Sequence, residues 1–221
     1  MPGLIVDIYA TVAVLKLYSG IWLQHLPWLP EFICGLIGAD TAVLRLSRKM
    51  EKQAASYADG AILYGELENP DITFKEHGLS FIANVLKGHK TGYFLDHRHN
   101  RKAVGQMASG KTVLDVFAYA GGFSVHALAG GATEVTSVDL SAQALELAKQ
   151  NAALNTHKGA HHCLQGDAFE ILDRLAGEHK QYDIVVIDPP AFAKQKDELP
   201  GAKNAYRKLV RSGVRLLGKD G

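Results

Sequence analysis

Acidic residues mark the ends of four successive strand-like segments in the second half of the chain. Asp115 lies within the first segment, 112–117. The other three come just after the later segments: Asp139, Asp167 and Asp188. In an open parallel sheet, ligands bind at the carboxyl ends of the strands, near the point where the strand order reverses. A carboxylate there can accept hydrogen bonds from two ribose hydroxyls or from an adenine amino group, so the ordered set predicts a site for an adenosine-containing cofactor.

The turn after the first segment discriminates between adenosine cofactors. It reads Phe117-Ala118-Tyr119-Ala120-Gly121-Gly122-Phe123. It lacks the G-x-G-x-x-G spacing that seats a pyrophosphate at a helix N-terminus, which disfavours a nicotinamide dehydrogenase. Bulky Phe117 and Tyr119 occupy the approach, and Gly121 is expected to let the backbone come close to the ligand. S-adenosylmethionine, which carries no phosphate, therefore fits this turn better than a dinucleotide.

The fourth segment ends in a stiff loop, Asp188-Pro189-Pro190-Ala191-Phe192. Two prolines fix φ and remove two backbone donors, so we expect the carbonyls to point outward. Those carbonyls and the Asp188 carboxylate can accept hydrogen bonds from the amino group of a planar base, and Phe192 can stack on that base. The loop thus predicts a nucleobase site with Asp188, Pro189 and Phe192 as its catalytic residues.

Strands and helices alternate from about residue 111, which is typical of an α/β fold with a doubly wound, mostly parallel sheet. Four strands are predicted, at 112–117, 134–138, 161–165 and 182–187. The helices between and after them are expected at 123–129, from the N-cap Ser141 to 154, at 168–176 and at 202–217. This part, 91–221, is expected to follow a small α+β domain, 1–90, which would serve in RNA or substrate binding.

The first 90 residues alternate short strand-like runs with helical segments. Two hairpins are predicted, one from 3–9 with 11–15 and one from 72–76 with 79–83 around His77-Gly78. The segment 41–57 has helical spacing, and the proline-rich piece 25–30 is expected to be a loop.

Together these motifs resemble the class I S-adenosylmethionine-dependent methyltransferases. More narrowly, the chain is similar to the bacterial 23S rRNA cytosine carbon-5 methyltransferases of the large-subunit type I family. The resemblance runs through nearly the whole chain. It rests on five segments, together with Asn151 and Asn155: Lys90-Thr91-Gly92-Tyr93 through Arg101, Leu114–Val125, Ser137-Val138-Asp139-Leu140-Ser141, Gly166-Asp167-Ala168 and Asp188–Phe192.

The resemblance implies a role for each matching residue. The first two segments would line the methionine end of the cofactor. Asp139 would hold the ribose, and Asp167 with Ala168 would hold the adenine. Asp188 with Pro189 would orient the target base. The cofactor-binding set implied in this way is Tyr93, Asp96, Arg98, Asp115, Phe117, Tyr119, Gly121, Asp139, Leu140, Asp167, Ala168 and Asp188.

The resemblance also implies that the chain is truncated at both ends. The family has an RNA-binding PUA domain before the part that matches 1–90, and its nucleophilic cysteine lies in a Ser-Cys-Ser turn beyond the position of Gly221. Carbon-5 methylation needs a thiolate that adds to the base, and Cys34 and Cys163 are expected to be buried instead. The piece alone is therefore expected to be inactive. Two alternatives stay open: methylation of a base nitrogen, which needs no thiol, and an RNA-binding module without catalysis.

The charge pattern places a candidate RNA contact near the C-terminus. The net charge of the chain is only +1, so any RNA surface must be local. A basic stripe is predicted on the last helix, with Tyr206, Leu209, Val210 and Leu217 facing the core. The residues expected to contact RNA are Lys194, Lys203, Arg207 and Arg211, with Arg215 continuing the stripe.

Other features exclude whole classes of function. No histidine stands near cysteines or acids at tetrahedral zinc spacing, so no metal site is predicted. The most apolar stretch, 4–18, is interrupted by Asp7 and Lys16 and is too short to span a membrane. Two cysteines fit a reducing compartment, and a cytoplasmic location is expected.

Overall fold

The computed structural model describes residues 2–54, 56–193, 195–219 and 221. The chain divides into two units, Met1–Asp96 and His97–Gly221. The boundary predicted from the sequence lies at residue 90. No helix among the described residues is long and apolar enough to cross a membrane.

A four-stranded mixed sheet and a separate hairpin form the first unit. The sheet has the order β1 (Leu4–Tyr9), β2 (Val12–Leu17), β3 (Thr41–Leu46) and β4 (Ile62–Tyr64). Strands β2 and β3 are parallel because helix α1 (Leu29–Ile37) carries the chain across between them, while the other neighbours are antiparallel. The hairpin consists of β5 (Asp71–Glu76) and β6 (Leu79–Asn84). Both predicted hairpins are confirmed.

The predicted helix over 41–57 is wrong. Residues Thr41–Leu46 form the strand β3, which is buried along its whole length between two neighbours. Such a strand reads as a continuous apolar run, which periodicity cannot distinguish from a buried helix. Among the described residues of 41–57, only α2, Arg48–Glu51, is helical. The side chain of Arg45 is buried and pairs with Asp59 at 3.1 Å.

The predicted proline-rich loop is also partly wrong. Helix α1 begins at Leu29, so Pro30 lies in its first turn. Proline is tolerated there because the first backbone N–H groups of a helix have no partner within the helix. A short 3-10 helix, Gly20–His25, precedes the remaining turn.

The second unit contains a doubly wound parallel sheet, which confirms the predicted fold class. Its strands are β7 (Thr112–Val116), β8 (Glu134–Asp139), β9 (Ala160–Gln165) and β10 (Ile184–Ile187), and they lie in the order β10-β7-β8-β9. The helices are α3 (Arg98–Met107), α4 (Gly122–Ala129), α5 (Ala142–Ala153), α6 (Ala168–Gly177) and α7 (Leu199–Arg215). Helix α3 was not predicted. Ser141 caps α5 as expected, since its hydroxyl accepts a hydrogen bond from the Ala144 N–H.

The predicted core-facing residues of the last helix are only partly confirmed. Leu209 is fully buried and Leu217 is half-buried, but Tyr206 and Val210 are exposed, Val210 to 58%. Small residues on the buried face let α7 lie close to the sheet: a Cβ at Gly213 would come within 2.5 Å of the Ile187 side chain. The buried face also includes the small residues Ala202 and Ser212, which an analysis of large apolar positions does not identify.

Candidate functional site

The carboxyl edge of the parallel sheet brings together the acids that the sequence singled out. Asp139 is the last residue of β8, and Asp167 follows β9 by two residues. Asp188 directly follows β10, and its N–H donates a hydrogen bond to the Val116 carbonyl at 3.3 Å. The strand order reverses beside β7, because β10 lies on one side of it and β8 on the other. This is the position at which open α/β sheets bind ligands.

Asp139 is held in place by two backbone donors from different elements. Its Oδ2 accepts a hydrogen bond from the Tyr119 N–H at 2.8 Å, and its Oδ1 accepts one from the Ser141 N–H at 2.9 Å. The carboxylate remains partly exposed at the end of the strand. Each carboxylate oxygen can accept a further hydrogen bond, so Asp139 can bind two hydroxyls of a ligand without releasing its backbone partners.

The turn after β7 has an unusual backbone conformation. Phe117, Tyr119 and Gly121 all have positive φ, at 67°, 47° and 72°. The Val138 carbonyl accepts hydrogen bonds from the Phe117 and Ala118 N–H groups, which joins the turn to β8. Non-glycine residues in this region store local strain, and such strain is concentrated at functional sites.

Gly121 has a second structural role, in helix packing, which its sequence context did not predict. A Cβ at this position would lie 2.8 Å from the Ala148 Cβ of α5. The missing side chain therefore allows α4 and α5 to approach each other, in addition to permitting the left-handed φ. Asn151, fully buried on α5, donates a hydrogen bond to the Ala120 carbonyl at 2.8 Å and also holds this turn. Its signal in the sequence is a polar residue on the buried face of a helix.

Asp115 is buried beneath this turn, with 1% of its surface exposed. Its Oδ2 accepts hydrogen bonds from the Ser124 hydroxyl at 2.6 Å and from the Ser124 N–H at 3.0 Å. Its Oδ1 has no hydrogen-bond partner among the described residues. Burial is the main cause that raises the pKa of Asp115, and the charges of Asp188 and Asp139 also raise it. The Ser124 hydrogen bonds oppose this increase, and the resulting pKa is about 6.

Asp167 combines a helix cap with a free acceptor. Its Oδ1 accepts hydrogen bonds from the Phe169 and Glu170 N–H groups at 2.9 and 3.2 Å, which caps α6. Its Oδ2 accepts none from the described residues, and the side chain is exposed. Ala168 is buried, and its predicted contact with the adenine stays a prediction. Leu140 is 72% exposed at the same edge.

These features fit a site for an adenosine-containing cation better than a set of acids whose hydrogen bonds are all made within the fold. Asp115 offers a buried acceptor without a partner, Asp167 an exposed one, and Leu140 an apolar surface that an adenine ring would cover. An unsatisfied buried carboxylate oxygen is costly, so such a group in a fold is a candidate for ligand contact.

The loop after β10 places Asp188 at the surface and turns Phe192 inward. The Asp188 side chain is exposed. The Phe192 ring packs edge-on against Tyr206 of α7, with centroids 4.9 Å apart, and lies 6.4 Å from the ring of Phe169. It therefore contacts the apolar cluster of α6 and α7 in this structure. Its predicted stacking on a base stays a prediction.

Two of the predicted cofactor residues belong to the first unit. Tyr93 is 3% exposed, and its ring packs against Phe74 and Phe81 with centroids 5.1 and 5.3 Å away. The Asp96 carboxylate pairs with Lys90 at 3.1 Å. Arg98, at the start of α3 in the second unit, is exposed. Contact of these three with the cofactor stays a prediction.

The predicted basic stripe lies along the exposed side of α7. Lys203, Arg207 and Arg211 are exposed and form no ion pair with the described residues. Arg215 and Lys208, by contrast, approach Asp173 at 3.7 and 3.9 Å. Lys194 lies outside the described residues.

Comparison with known proteins agrees with this geometry. A family model of S-adenosylmethionine-dependent methyltransferases matches residues 35–221. A ribosomal RNA large subunit methyltransferase of Deinococcus radiodurans is 44% identical and aligns with 100% of this chain and 55% of its own length. Ribosomal RNA large subunit methyltransferase I of Aeromonas salmonicida is 34% identical, over 100% of this chain and 56% of the relative.

Solved structures show the same architecture. A Streptococcus mutans protein assigned as a SAM-dependent methyltransferase superposes with a TM-score of 0.81 at 29% identity, covering 99% of this chain and 55% of that one. A protein assigned as a methyltransferase and crystallised with SAH gives 0.80 at 28% identity, covering 99% and 56%. The chain thus spans about half the length of the relatives it matches. Because the family model includes the whole second unit and every acid described above, the chain belongs to the S-adenosylmethionine-dependent methyltransferase family.

Proposed function

We propose that this chain binds S-adenosylmethionine and presents a base of large-subunit ribosomal RNA to it for methylation. The observation that carries the proposal is the convergence of Asp139, Asp167 and Asp188 at the carboxyl edge, beside the strand at which the order reverses. The names of the two ribosomal RNA methyltransferase relatives support RNA as the substrate.

Each residue of the edge has a role in this proposal. Asp139, already oriented by two N–H groups, binds the ribose hydroxyls, and the free Oδ2 of Asp167 accepts from the adenine amino group. The anionic form of Asp115 attracts the positive charge of the cofactor. The exposed Asp188 carboxylate, fixed by Pro189, orients the target base. The cofactor supplies an electrophilic methyl group on a sulfonium.

Binding of S-adenosylmethionine to the 221-residue chain, measured by titration calorimetry, tests this proposal directly. We expect a single site on the chain. Absence of binding would overturn the proposal and favour the alternative of an RNA-binding module without catalysis.

The finer proposal is methylation at carbon 5 of a cytosine, as the family resemblance implies. This reaction needs a thiolate that adds to carbon 6 of the base, which makes carbon 5 nucleophilic toward the methyl group of the sulfonium. Loss of the proton from carbon 5 then expels the thiolate from carbon 6. Cys34 is buried in the first unit, and Cys163 is half-buried in β9. Burial raises the pKa of both thiols, so neither is an activated nucleophile. The carbon-5 proposal therefore requires a thiol from outside residues 1–221.

Carbon and nitrogen methylation can be distinguished with RNA that carries tritium at carbon 5 of its cytosines. Methylation at carbon 5 releases that tritium into water, whereas methylation of a nitrogen retains it. For the 221-residue chain with bound S-adenosylmethionine we expect neither methyl transfer nor tritium release. Methyl transfer without tritium release would favour the nitrogen alternative, and transfer with release would assign carbon 5 to a thiol within this chain.

The basic stripe of α7 gives a prediction about RNA affinity. Helix α7 starts near the carboxyl edge and ends near the opposite edge, where the Tyr182 N–H bonds to the Leu216 carbonyl. Replacing Arg207 and Arg211 together by glutamine should remove two phosphate contacts. We expect affinity for a large-subunit rRNA fragment to fall about tenfold, and the slope of log affinity against log salt to become shallower by about 1.5.

Filter binding over a salt series measures both quantities. The matched control replaces Lys158 and Lys180 by glutamine, because these exposed residues precede β9 and β10 at the opposite edge of the sheet. Equal losses for the two double variants would mean that RNA responds to net charge alone, which would contradict the assigned contact.

A further inference from the structure

A chain of buried hydrogen bonds crosses the second sheet from β7 to β9. The Ser124 hydroxyl lies 2.6 Å from Asp115 Oδ2 and 2.6 Å from the Ser137 hydroxyl. The Ser137 hydroxyl lies 2.8 Å from His161 Nε2. Asp115, Ser124 and Ser137 are all buried, and His161 is half-buried. We call His161, Ser137 and Ser124 the relay.

The donors along the relay can point in only one direction while Asp115 is ionised. The Ser124 hydroxyl then donates to Asp115, and its oxygen must accept from the Ser137 hydroxyl. The Ser137 oxygen must in turn accept from His161, which therefore carries its proton on Nε2. If Asp115 gains a proton on Oδ2, every hydroxyl can turn around and His161 can become the acceptor. The ionised form of Asp115 thus selects the histidine tautomer that carries its proton on Nε2.

Groups near each end of the relay disfavour the charged form of the residue at that end: the anion of Asp115 at one end and the cation of His161 at the other. Asp188 and Asp139 are the acids that act on Asp115. Near His161 are His157, His162 and Lys149, and the Cys163 Sγ lies 3.9 Å from His161 Nε2. Desolvation, followed by those three neighbours, lowers the pKa of His161 to about 4. The imidazole is therefore neutral near pH 7 and can serve as the donor that begins the relay.

We propose that His161 is a positioning residue of the cofactor site, which acts through Ser137 and Ser124 to keep Asp115 ionised and attractive to the cofactor cation. The inference rests on the proposed function only in its last step, cofactor affinity. The coupling between His161 and Asp115 is a property of the ligand-free chain. No described contact joins His161 directly to Asp115, so its effect must pass through the two hydroxyls.

Three variants test the relay: His161→Phe removes the first donor, Ser137→Ala removes the middle one, and His161→Gln retains an N–H donor. Carbon-13 NMR titration of the Asp115 carboxyl in the ligand-free chain measures the effect. In the first two variants we expect its pKa to rise by about one unit, because a carboxylate loses stabilisation with its donors. His161→Gln should restore most of the original value. The matched control is His162→Phe, since this exposed neighbour lies outside the relay.

The affinity for S-adenosylmethionine provides the second readout. If binding requires ionised Asp115, His161→Phe should weaken it about threefold at pH 6.5 and leave it unchanged at pH 8.5. A purely structural defect would weaken it equally at both pH values. An unchanged Asp115 pKa in both His161→Phe and Ser137→Ala would overturn the relay. A chain that passes the NMR test but binds no S-adenosylmethionine would instead refute the proposed function and leave the coupling intact.

Discussion

Replacing Asp139 by alanine is expected to lower the affinity for S-adenosylmethionine by about 100-fold or more. A hydrogen bond to a charged group contributes about 1.5 to 3 kcal/mol, and the proposed ribose contact contains two of them. The substitution also removes the acceptor for the Tyr119 and Ser141 N–H groups, which order the turn after β7 and the start of α5. Titration calorimetry with S-adenosylmethionine measures the loss.

Two further variants make this result specific. Asp139→Asn keeps one carbonyl acceptor and should bind with intermediate affinity. Asp173→Asn removes a negative charge from α6 outside the site, beside Lys208 and Arg215, and should bind within about twofold of the unmodified chain. An Asp139→Ala chain that stays folded by circular dichroism and binds within threefold would show that Asp139 does not hold the cofactor.

Replacing Asp115 by asparagine is expected to stabilise the fold at pH 8 by about 2 kcal/mol and to have little effect near pH 4. The pKa of Asp115 is about 6 in the folded chain, above its ordinary value of 3.8. The folded state therefore binds the proton more tightly than the unfolded state, and stability from this group declines as pH rises from 3.8 through 6. The full penalty at pH 8 is at most about 3 kcal/mol.

Asparagine removes this penalty because it is neutral at every pH. Its amide oxygen can still accept from Ser124, but its amide NH₂ takes the place of an oxygen that already lacks a partner, which retains part of the cost. Urea unfolding at several pH values measures the difference. The same variant should bind S-adenosylmethionine more weakly, since it loses the buried charge. If Asp115→Asn instead destabilised the fold equally at pH 4 and pH 8, burial of the ionised Asp115 carboxylate would have no free-energy cost.

The acids of the site could be predicted because they follow strands whose apolar pattern is strong. Residues 112–116 and 134–139 contain several β-branched residues, are bounded by turn residues and are mostly buried, so local sequence and tertiary position agree. The helix caps Ser141 and Asp167 are equally local signals, which depend only on residues two or three positions away.

The relay could not be predicted in this way. Asp115 pairs with Ser137 across β7 and β8, and His161 pairs with Val135 across β8 and β9. These pairings depend on the register of parallel strands that are separated by whole helices, and a shift of one residue would turn every side chain to the other face. The prediction for β3 was wrong for a related reason. Both faces of this strand are buried, so it lacks the alternation of apolar and polar residues that marks a strand in the sequence.

The close seating of α7 on β10 has a consequence for how an RNA would be selected. The helix packs directly on Ile187 and Val185, because Gly213 has no side chain to hold it away from them. The loop that begins at Asp188 follows the same strand. The cationic side chains of α7 and the base-presenting loop are therefore both attached to β10. A fixed spacing between them would select a target nucleotide by its distance from neighbouring phosphates. The chain would then recognise the shape of a folded RNA independently of its base sequence.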